Sequence, residues 1–415
     1  MKSFFLTLIF LFSSLAAEAQ KKAILFQHVR VFDGTQVITS TNVLIHKGQI
    51  IKIGPDVADP DAQIIDGAGK TLLPGFIDAH THIWGERSLE QALLFGVTSE
   101  LDMFMPPRLA ARLHQSDLDY MASFWTAGNL ATAPGGHGTE YGRPIPTLTN
   151  PKEADGWVGD RIREGSDYIK IVYDHGLGLA RTPRPTLSKE TLAAVIAAAH
   201  KHGKLAVVHI GSLRDARDAI EAGADGLAHL FKGPSSDHDF GQLAAAHHVF
   251  VVPTLSVMHS VCGPDSAGLE LAADANLKPF LTGEDVDHLE KTFPSASTGI
   301  VSCKGAVEAI KQLKAAGVPI LAGSDAPNPG TLHGVTMHGE LRLLVEAGLT
   351  PAEALAAATS APAKAFHIPD RGSIAPGMRA DLVLVKGNPD ENILATRNIV
   401  AVYKRGIEAD RRRSN

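Results

Sequence analysis

The chain has 415 residues, of which 44% are hydrophobic and 20% charged, and this ordinary globular composition argues against a disordered protein or a coiled coil. A chain of this length can bury a sizeable core. The formal net charge is −6, and the one basic cluster, Arg411-Arg412-Arg413, is interpreted as a solvated tail, so we expect no nucleic-acid partner.

The N-terminus has the pattern of a secretory signal peptide. Lys2 provides a positive start, residues 4–15 are apolar, and Ala17-Glu18-Ala19 gives a small-x-small end. The apolar run is too short for a membrane span, and no later stretch reaches the roughly 18 apolar residues that a span needs. We therefore expect residues 1–19 to be removed and the mature protein to be periplasmic or secreted, with no membrane partner.

Short β-strands are predicted over residues 23–31, 41–45 and 49–53, with a turn at Lys47-Gly48. From about residue 75, strands alternate with helices. Eight strands are predicted there: Phe76–His82, Gly96–Leu101, Ala122–Gly128, Tyr168–Tyr173, Leu205–His209, Gly226–Leu230, Phe250–Leu255 and Pro319–Ser324. The predicted helices cover residues 188–203, 213–222, 240–247, 304–316 and about 336–367.

Strands separated by helices predict a parallel sheet with crossover connections, and eight of them favour an α/β fold of the (β/α)8 TIM-like barrel type over residues 74–370. A doubly wound open sheet competes, but no glycine-rich phosphate loop follows the first strand. Strand-like segments return at 381–385 and 399–404. Residues 20–73 and 371–415 are therefore predicted to form a small composite β-sandwich domain.

The segment 256–303 is predicted to be irregular because it is rich in serine, glycine and aspartate. It follows the seventh strand, on the side where barrel loops face an active site, so it is either a lid or a surface insertion. Cys262 and Cys303 are the only cysteines. Export permits a disulfide between them, but the sequence leaves their pairing open.

Histidine and aspartate stand at the ends of several predicted strands. His80 and His82 close the first strand, and since residues two apart point to the same side of a strand, both imidazoles can converge on one point. His209, His229 and Asp325 close the fifth, sixth and eighth strands. Catalytic groups of this fold lie at such C-terminal strand ends, and imidazole and carboxylate are ligands of divalent metals. These residues therefore predict a metal site.

Lys170 lies on the fourth predicted strand and shares a face with Tyr168 and Val172. A lysine inside a barrel is costly unless it is paired or neutral. A neutral amine can add carbon dioxide to give a carbamate, whose two oxygens can bridge two metal ions. The alternative is a buried ion pair between Lys170 and a carboxylate such as Asp325.

This set resembles the amidohydrolase superfamily of metal-dependent hydrolases. The resemblance rests on Pro74-Gly-Phe-Ile-Asp-Ala-His-Thr-His82, on the order of the later site residues, and on the closing motif Gly372-Ser-Ile-Ala-Pro-Gly-Met-Arg-Ala-Asp381. The chain looks closest to the imidazolonepropionase-related group, which includes prolidase-like dipeptidases with a carboxylated lysine and two zinc ions. The helical stretch from Met337 to Leu355 supports this grouping.

The resemblance implies two divalent metal ions with six ligands: His80, His82 and Asp325 for one ion, His209 and His229 for the second, and N6-carboxylated Lys170 as the bridge. Zinc is the default ion, although manganese, iron or cobalt would fit the same residues. Asp325 is the implied catalytic residue, which takes a proton from the attacking hydroxide and hands it to the leaving amine.

The glycine-rich loop from Ala133 to Gly142 supplies the candidate substrate-binding residues. His137 and Tyr141 can hydrogen-bond the substrate carbonyl or the polar end of the substrate, and the alternative is a structural turn. Tyr173 and His175 are weaker candidates for the pocket wall. Five arginines near loops are candidates for a carboxylate pocket: Arg108, Arg112, Arg143, Arg181 and Arg184.

The predicted function is an exported metal-dependent amidohydrolase that cleaves an amide-type C–N bond in a small-molecule substrate, either a dipeptide or an N-acyl amino acid. The alternative is a mononuclear deaminase or cyclic-amide hydrolase of the imidazolonepropionase type, which works with one metal and lacks the bridging lysine. A binding protein that has lost catalysis is a third reading, which the intact ligand set disfavours. A homo-oligomer is possible.

Overall fold

The computed structural model describes residues 22–115, 118–175, 184–232, 238–263, 267–294 and 302–411. The predicted signal peptide at residues 1–19 lies outside these ranges. Arg181 and the last two arginines of the basic tail also lie outside them.

Both ends of the chain contribute to one mixed sheet. With all strands numbered in chain order, its members are β1 (Ile24–Phe32), β2 (Val37–His46), β3 (Gln49–Gly54), β4 (Gln63–Asp66), β5 (Lys70–Pro74), β13 (Leu382–Lys386), β14 (Ile399–Lys404) and β15 (Ile407–Glu408). The order is β15-β14-β13-β5-β1-β2-β3, and β4 pairs with β1. The strands predicted near both ends of the chain are therefore present.

This sheet is curled, so that its two halves share a core. The rings of Phe26 on β1 and Tyr403 on β14 lie 5.3 Å apart edge to face, although two strands separate β1 from β14 in the sheet. Flat strands spaced about 4.8 Å apart would hold these rings much farther apart. In the β2–β3 hairpin, Lys47 and Gly48 both have positive φ, as the predicted two-residue turn requires.

The middle of the chain forms two parallel sheets. The first contains β6 (Phe76–Thr81), β7 (Val97–Asp102) and β8 (Ser123–Thr126), and the second contains β9 (Ile169–Tyr173), β10 (Ala206–Ile210), β11 (Gly226–Ala228) and β12 (Phe250–Val252). Seven of the eight predicted strands are therefore present within a few residues of their expected bounds. β5 pairs with β13, which ties the mixed sheet directly to the start of β6.

The prediction of a regular eighth strand over Pro319–Ser324 is wrong. The segment forms an isolated bridge at Ile320 and then contacts its neighbours through single hydrogen bonds, from Leu321 N to Val251 O (2.9 Å) and from Ala79 N to Ala322 O (2.9 Å). A side chain at Gly323 would collide with Val252 and His80. The absence of a side chain at Gly323 permits this close approach to both neighbours.

Backbone hydrogen bonds connect the two parallel sheets along both edges. On one side, Ala131 N donates to Lys170 O and Val172 N donates to Ala131 O, each at 2.8 Å. On the other side, the 320–326 segment lies between β12 and β6, and Asp325 N donates to His80 O at 2.8 Å. Strand ends of both sheets are therefore held close together.

Thirteen α-helices occur in the described residues. They are α1 (Glu86–Leu94), α2 (Pro107–His114), α3 (Ala154–Arg163), α4 (Lys189–Lys201), α5 (Leu213–Glu221), α6 (Phe240–Ala246), α7 (Leu255–Cys262), α8 (Ala267–Ala273), α9 (Gly283–Leu289), α10 (Lys304–Ala315), α11 (Val335–Glu346), α12 (Pro351–Ala357) and α13 (Ser360–Ala365). Ser188 Oγ accepts from Thr191 N and caps α4, as predicted.

The prediction that residues 256–303 are irregular is wrong for much of the described part of the segment, because α7, α8 and α9 lie in it. The buried carboxylate of Glu340 accepts hydrogen bonds from Leu255 N (2.9 Å) and Ser256 N (2.7 Å), which caps α7 and ends β12 early. Thr282 and Asp285 form a capping box at α9. The polar residues of the segment therefore include helix caps.

Cys262 at the end of α7 and Cys303 before α10 form a disulfide with their Cα atoms 5.9 Å apart, which resolves the pairing that the sequence left open. Among the described helices, none combines the length and apolar character needed to cross a membrane.

We predict that Glu340→Ala lowers the free energy of unfolding by about 2–4 kcal/mol, because it leaves two buried backbone N–H groups without an acceptor. Glu340→Gln keeps one acceptor oxygen and should lower it less. Chemical denaturation followed by circular dichroism measures both. Equal stability of the alanine variant and the wild type would contradict this role of Glu340.

Candidate metal centre

The strand ends bring all six predicted ligands to one cavity of about 350 Å³. These residues are His80, His82, Lys170, His209, His229 and Asp325. His80 and Lys170 are buried on β6 and β9, whereas His229 and Asp325 follow β11 and the 320–324 segment directly. The spacing of strand ends that the sequence predicted is thus realised in three dimensions.

One half of the cluster is compact. His80 Nε2 and His82 Nε2 lie 3.4 Å and 3.0 Å from Asp325 Oδ1, and one ligand atom from each of the three residues lies within 4.8 Å of the others. The ring of His229 lies 4.7 Å from that of His80 and 4.5 Å from that of His209. His209 and His229 therefore form a second half beside the first.

Lys170 lies in this cluster without a charged partner. Its side chain is only 2% exposed, and Nζ has neither a hydrogen bond nor a carboxylate within ion-pair distance among the described residues. Burial lowers the pKa of Lys170 to about 7, although the charges of Asp325 and Asp102 oppose this shift. The alternative of a Lys170–Asp325 ion pair is therefore absent, and much of the amine is neutral at neutral pH.

Burial also favours the neutral form of three of the four histidines. Burial lowers the pKa of His209 to about 4 and holds the pKa values of His80 and His229 well below the usual histidine range. Asp325 Oδ1 is buried without a hydrogen-bond donor. A neutral imidazole has a free lone pair that can bind a metal ion. A carboxylate oxygen that accepts no hydrogen bond can also serve as a metal ligand. The donor set therefore fits divalent metal ions.

A model of the amidohydrolase family matches residues 71–407, a span that contains every residue of this cluster. The chain belongs to the amidohydrolase family. It is accordingly a hydrolase that acts on carbon–nitrogen bonds, in a family that is generally metal-dependent.

Relatives of the amidohydrolase cover most of the chain. It is 27% identical over 383 residues to the imidazolonepropionase of Cereibacter sphaeroides, which covers 85% of this chain and 90% of that protein. A solved Xaa-Pro dipeptidase with bound methionine in the active site shares 26% identity and a TM-score of 0.73, over 93% of this chain and 99% of that chain. A putative prolidase from Bifidobacterium longum, 23% identical with a TM-score of 0.72 over 94% and 95% of the two chains, has the same fold.

Thr254 fixes the tautomer of one histidine of the amidohydrolase. Thr254 Oγ1 donates its single proton to Pro253 O (2.8 Å) and therefore accepts from His229 Nδ1 (2.7 Å). This leaves the lone pair of His229 on Nε2. At His209, Asp174 Oδ2 lies 3.4 Å from Nε2 and orients the ring.

Three residues of the site have a backbone that their side chains disfavour. His229, Thr254 and Asp325 have φ values of 71°, 50° and 55°, in the left-handed region that costs non-glycine residues of order 1–2 kcal/mol each. The surrounding structure holds this geometry, for example through His229 N donating to Val252 O (2.8 Å). At His229 and Asp325 this backbone conformation accompanies side chains that line the cavity.

Buried carboxylates next to the candidate metal centre hold the backbone of the site in place. Asp78 Oδ1 accepts from Ser324 N (2.9 Å) and His80 N (3.2 Å), which holds the two edge segments together. Burial and the nearby charge of Glu100 raise the pKa of Asp78 to about 8. Glu100 in turn lies 2.9 Å from His333 Nδ1. The sequence analysis did not identify Asp78 and Glu100 as residues that support the site. Their presence inside otherwise apolar strands could have indicated this role.

The two predicted substrate-binding residues line the same cavity. His137 Nδ1 lies 2.8 Å from Glu140 Oε1, and its ring lies 4.9 Å from that of His209. Tyr141 is 47% exposed and contacts the His137 ring at 6.0 Å. Glu140 also contacts Arg184 Nη1 at 3.0 Å. The loop is therefore ordered by ion pairs, and His137 keeps Nε2 for another partner.

Other candidates lie elsewhere. The Tyr173 hydroxyl donates to Asp218 and His175 pairs with Asp215, so neither forms part of the cavity wall. Of the candidate arginines in the described residues, Arg184 lines the cavity, whereas the other three do not: Arg108, Arg112 and Arg143. The structure adds cavity-lining residues that the sequence analysis did not single out, namely Asp174, Lys232 and Asn328.

We predict that Thr254→Val weakens metal binding by about 10- to 100-fold, because it removes the acceptor that fixes His229. Thr254→Ser keeps the hydroxyl and should bind metal like the wild type. Competition with a chromogenic chelator measures both affinities. Equal affinities for the valine and serine variants would show that this hydrogen bond does not orient His229.

Proposed function

We propose that the protein is an exported metal-dependent amidohydrolase that hydrolyses an amide-type C–N bond in a dipeptide or an N-acyl amino acid, with two divalent metal ions, by default Zn²⁺. The observation that carries this proposal is the buried, unpaired amine of Lys170 among the four histidines and the aspartate of the candidate metal centre. Such an amine has no structural partner to explain its burial.

Carboxylation of Lys170 gives the amine a function. Neutral Nζ attacks carbon dioxide, an N–C bond forms, one C–O π bond breaks, and a proton leaves the nitrogen to solvent. The resulting carbamate presents two oxygens. His80, His82 and Asp325 would hold one ion and His209 and His229 the other, with the carbamate of Lys170 between them.

Divalent ions bound there supply Lewis acidity for the scissile carbonyl and lower the pKa of water. Asp325 is the proton carrier: a carboxylate oxygen accepts a proton from the attacking water and returns it to the nitrogen of the leaving amine. Since the carboxylate of Glu140 accepts from His137 Nδ1, Nε2 of that tautomer accepts a hydrogen bond from an N–H or O–H group at the polar end of the substrate. The hydroxyl of Tyr141 is available to the polar end of the substrate.

The size of the cavity and the relatives support this substrate class. A volume of about 350 Å³ is at the small end of ligand pockets and suits a molecule of dipeptide size. The solved dipeptidase that resembles the chain carries a single amino acid, methionine, in its active site. A small-molecule substrate is proposed, with no nucleic-acid or membrane partner, and a homo-oligomer remains compatible with it.

We also propose a domain organisation and a cellular localisation. Residues 74–370 form a closed barrel in which the irregular 319–324 segment takes the eighth position, which the hydrogen bonds along both sheet edges support. Residues 20–73 and 371–415 form the β-sandwich, which the shared core of Phe26 and Tyr403 supports. Export to the periplasm or the medium rests on the sequence of residues 1–19 and is compatible with the disulfide.

The second candidate is a mononuclear deaminase or cyclic-amide hydrolase. The similarity to imidazolonepropionase over 383 residues favours it, and the compact His80-His82-Asp325 group could hold one ion alone. This candidate leaves the buried amine of Lys170 without a role, and for that reason the dinuclear amide hydrolase is preferred.

We predict that zinc-loaded protein in bicarbonate buffer releases amino acids from dipeptides and N-acyl amino acids, and that chelation abolishes this activity until zinc is restored. His209→Ala should lower kcat/KM by at least about 100-fold, since loss of a ligand exceeds the effect of losing its outer partner. His247→Ala, on an exposed position beyond α6, should have no effect.

A metal-loaded protein that is inert on these amides would contradict the proposal. Ring opening of cyclic amides or release of ammonia by the same preparation would establish the second candidate instead.

A further inference from the structure

Three lysine or arginine side chains line the cavity in the part of the chain that the structure describes. Lys170 belongs to the metal centre, and Arg184 pairs with Glu140, which also holds His137. For Lys232, the described residues offer no carboxylate oxygen within 4.0 Å. One cationic group of the cavity is therefore neither a ligand nor half of an ion pair.

Lys232 lies three residues after His229, on the loop that leaves β11. Its backbone N donates to Gly211 O (3.4 Å), which ties this position to the end of β10. Its charge acts on His229, and the charges of Asp174 and Asp325 act on it. The ammonium group is thus close to the reacting centre, where burial without a counterion is unfavourable.

The same cavity has an apolar wall. Its members come from the loop after β11, from α7 and from the end of the α9 connection: Leu230, Val257, Met258, Val261 and Phe293. Beside the six metal-centre residues, the cavity therefore presents the cation of Lys232 and an apolar surface, together with the carboxylate of Asp174 and the Glu140–Arg184 pair. A ligand that satisfies both features carries a carboxylate next to an apolar side chain.

We propose that Lys232 binds the free carboxylate of the substrate, so that the enzyme acts on N-acyl amino acids and dipeptides whose carboxyl-terminal residue is apolar. This inference rests on the proposed amide hydrolysis. In such a substrate only two bonds separate the scissile amide nitrogen from the carboxylate carbon, which agrees with the presence of Lys232 and His229 in the lining of the same cavity. The apolar side chain then packs against α7.

The test compares N-acetyl-L-leucine with N-acetyl-L-leucinamide, which lacks the carboxylate charge. Release of acetate is followed for wild type, Lys232→Met and Lys232→Arg, with Lys204→Met as the control at a half-buried lysine outside the cavity lining. The wild type should have a higher kcat/KM for N-acetyl-L-leucine than for N-acetyl-L-leucinamide. Lys232→Met should raise KM for it by about 10- to 100-fold, with little change in kcat and little effect on the amide. Lys232→Arg should retain most of the preference.

Equal effects of Lys232→Met on the two compounds, or a wild type without preference, would overturn the inference. Calorimetric binding of the same two compounds separates this result from a failure of the proposed function. If no acetate is released, tighter binding of N-acetyl-L-leucine that is lost in Lys232→Met supports the role of Lys232 while amide hydrolysis fails. Equal binding of both compounds overturns the role of Lys232 whether or not either is hydrolysed.

Discussion

The site depends on one unfavourable arrangement, the burial of the Lys170 amine without an ion-pair partner. Burial lowers its pKa to about 7, so that the charged form, which would repel a metal, gives way to a neutral nucleophile. Burial also favours the neutral forms of His80, His209 and His229. Burial in a low dielectric thus favours the neutral forms of the amine and of these imidazoles, and a neutral imidazole is the form that binds a metal ion.

The fold holds these groups by contacts outside the ligands themselves. Asp78 braces the backbone of His80 against the 320–326 segment, Thr254 fixes His229, and Glu340 anchors the helix that follows Thr254. Each contact joins segments that are far apart in the chain. The mixed sheet from both chain ends supports the first of the parallel strands, because β13 pairs with β5 immediately before β6.

The positions of the candidate metal ligands could be predicted because the residues that end a strand can be recognised from the local sequence. A histidine or aspartate that closes an apolar run is visible in the sequence, and the barrel rule places all such residues at one mouth. The irregular geometry of the 319–324 segment could not be predicted, because it depends on single backbone hydrogen bonds to Val251 and Ala79, which are far away in the chain. The helices α7 to α9 were missed because serine, glycine and aspartate are typical of loops, and because the carboxylate that caps α7 belongs to Glu340, outside the segment. The sequence could not indicate a role for Lys232 or Asp174, because only the three-dimensional structure shows that both residues line the cavity.

Metal stoichiometry tests the central claim most directly. Mature protein prepared with bicarbonate is compared with Lys170→Ala by elemental analysis. We expect two divalent metal ions per chain in the wild type and a sharp fall in the variant, since loss of the lysine removes the ligand shared by both ions. One ion per chain, unchanged by the substitution, would contradict the lysine bridge and would leave the buried amine of Lys170 without a function.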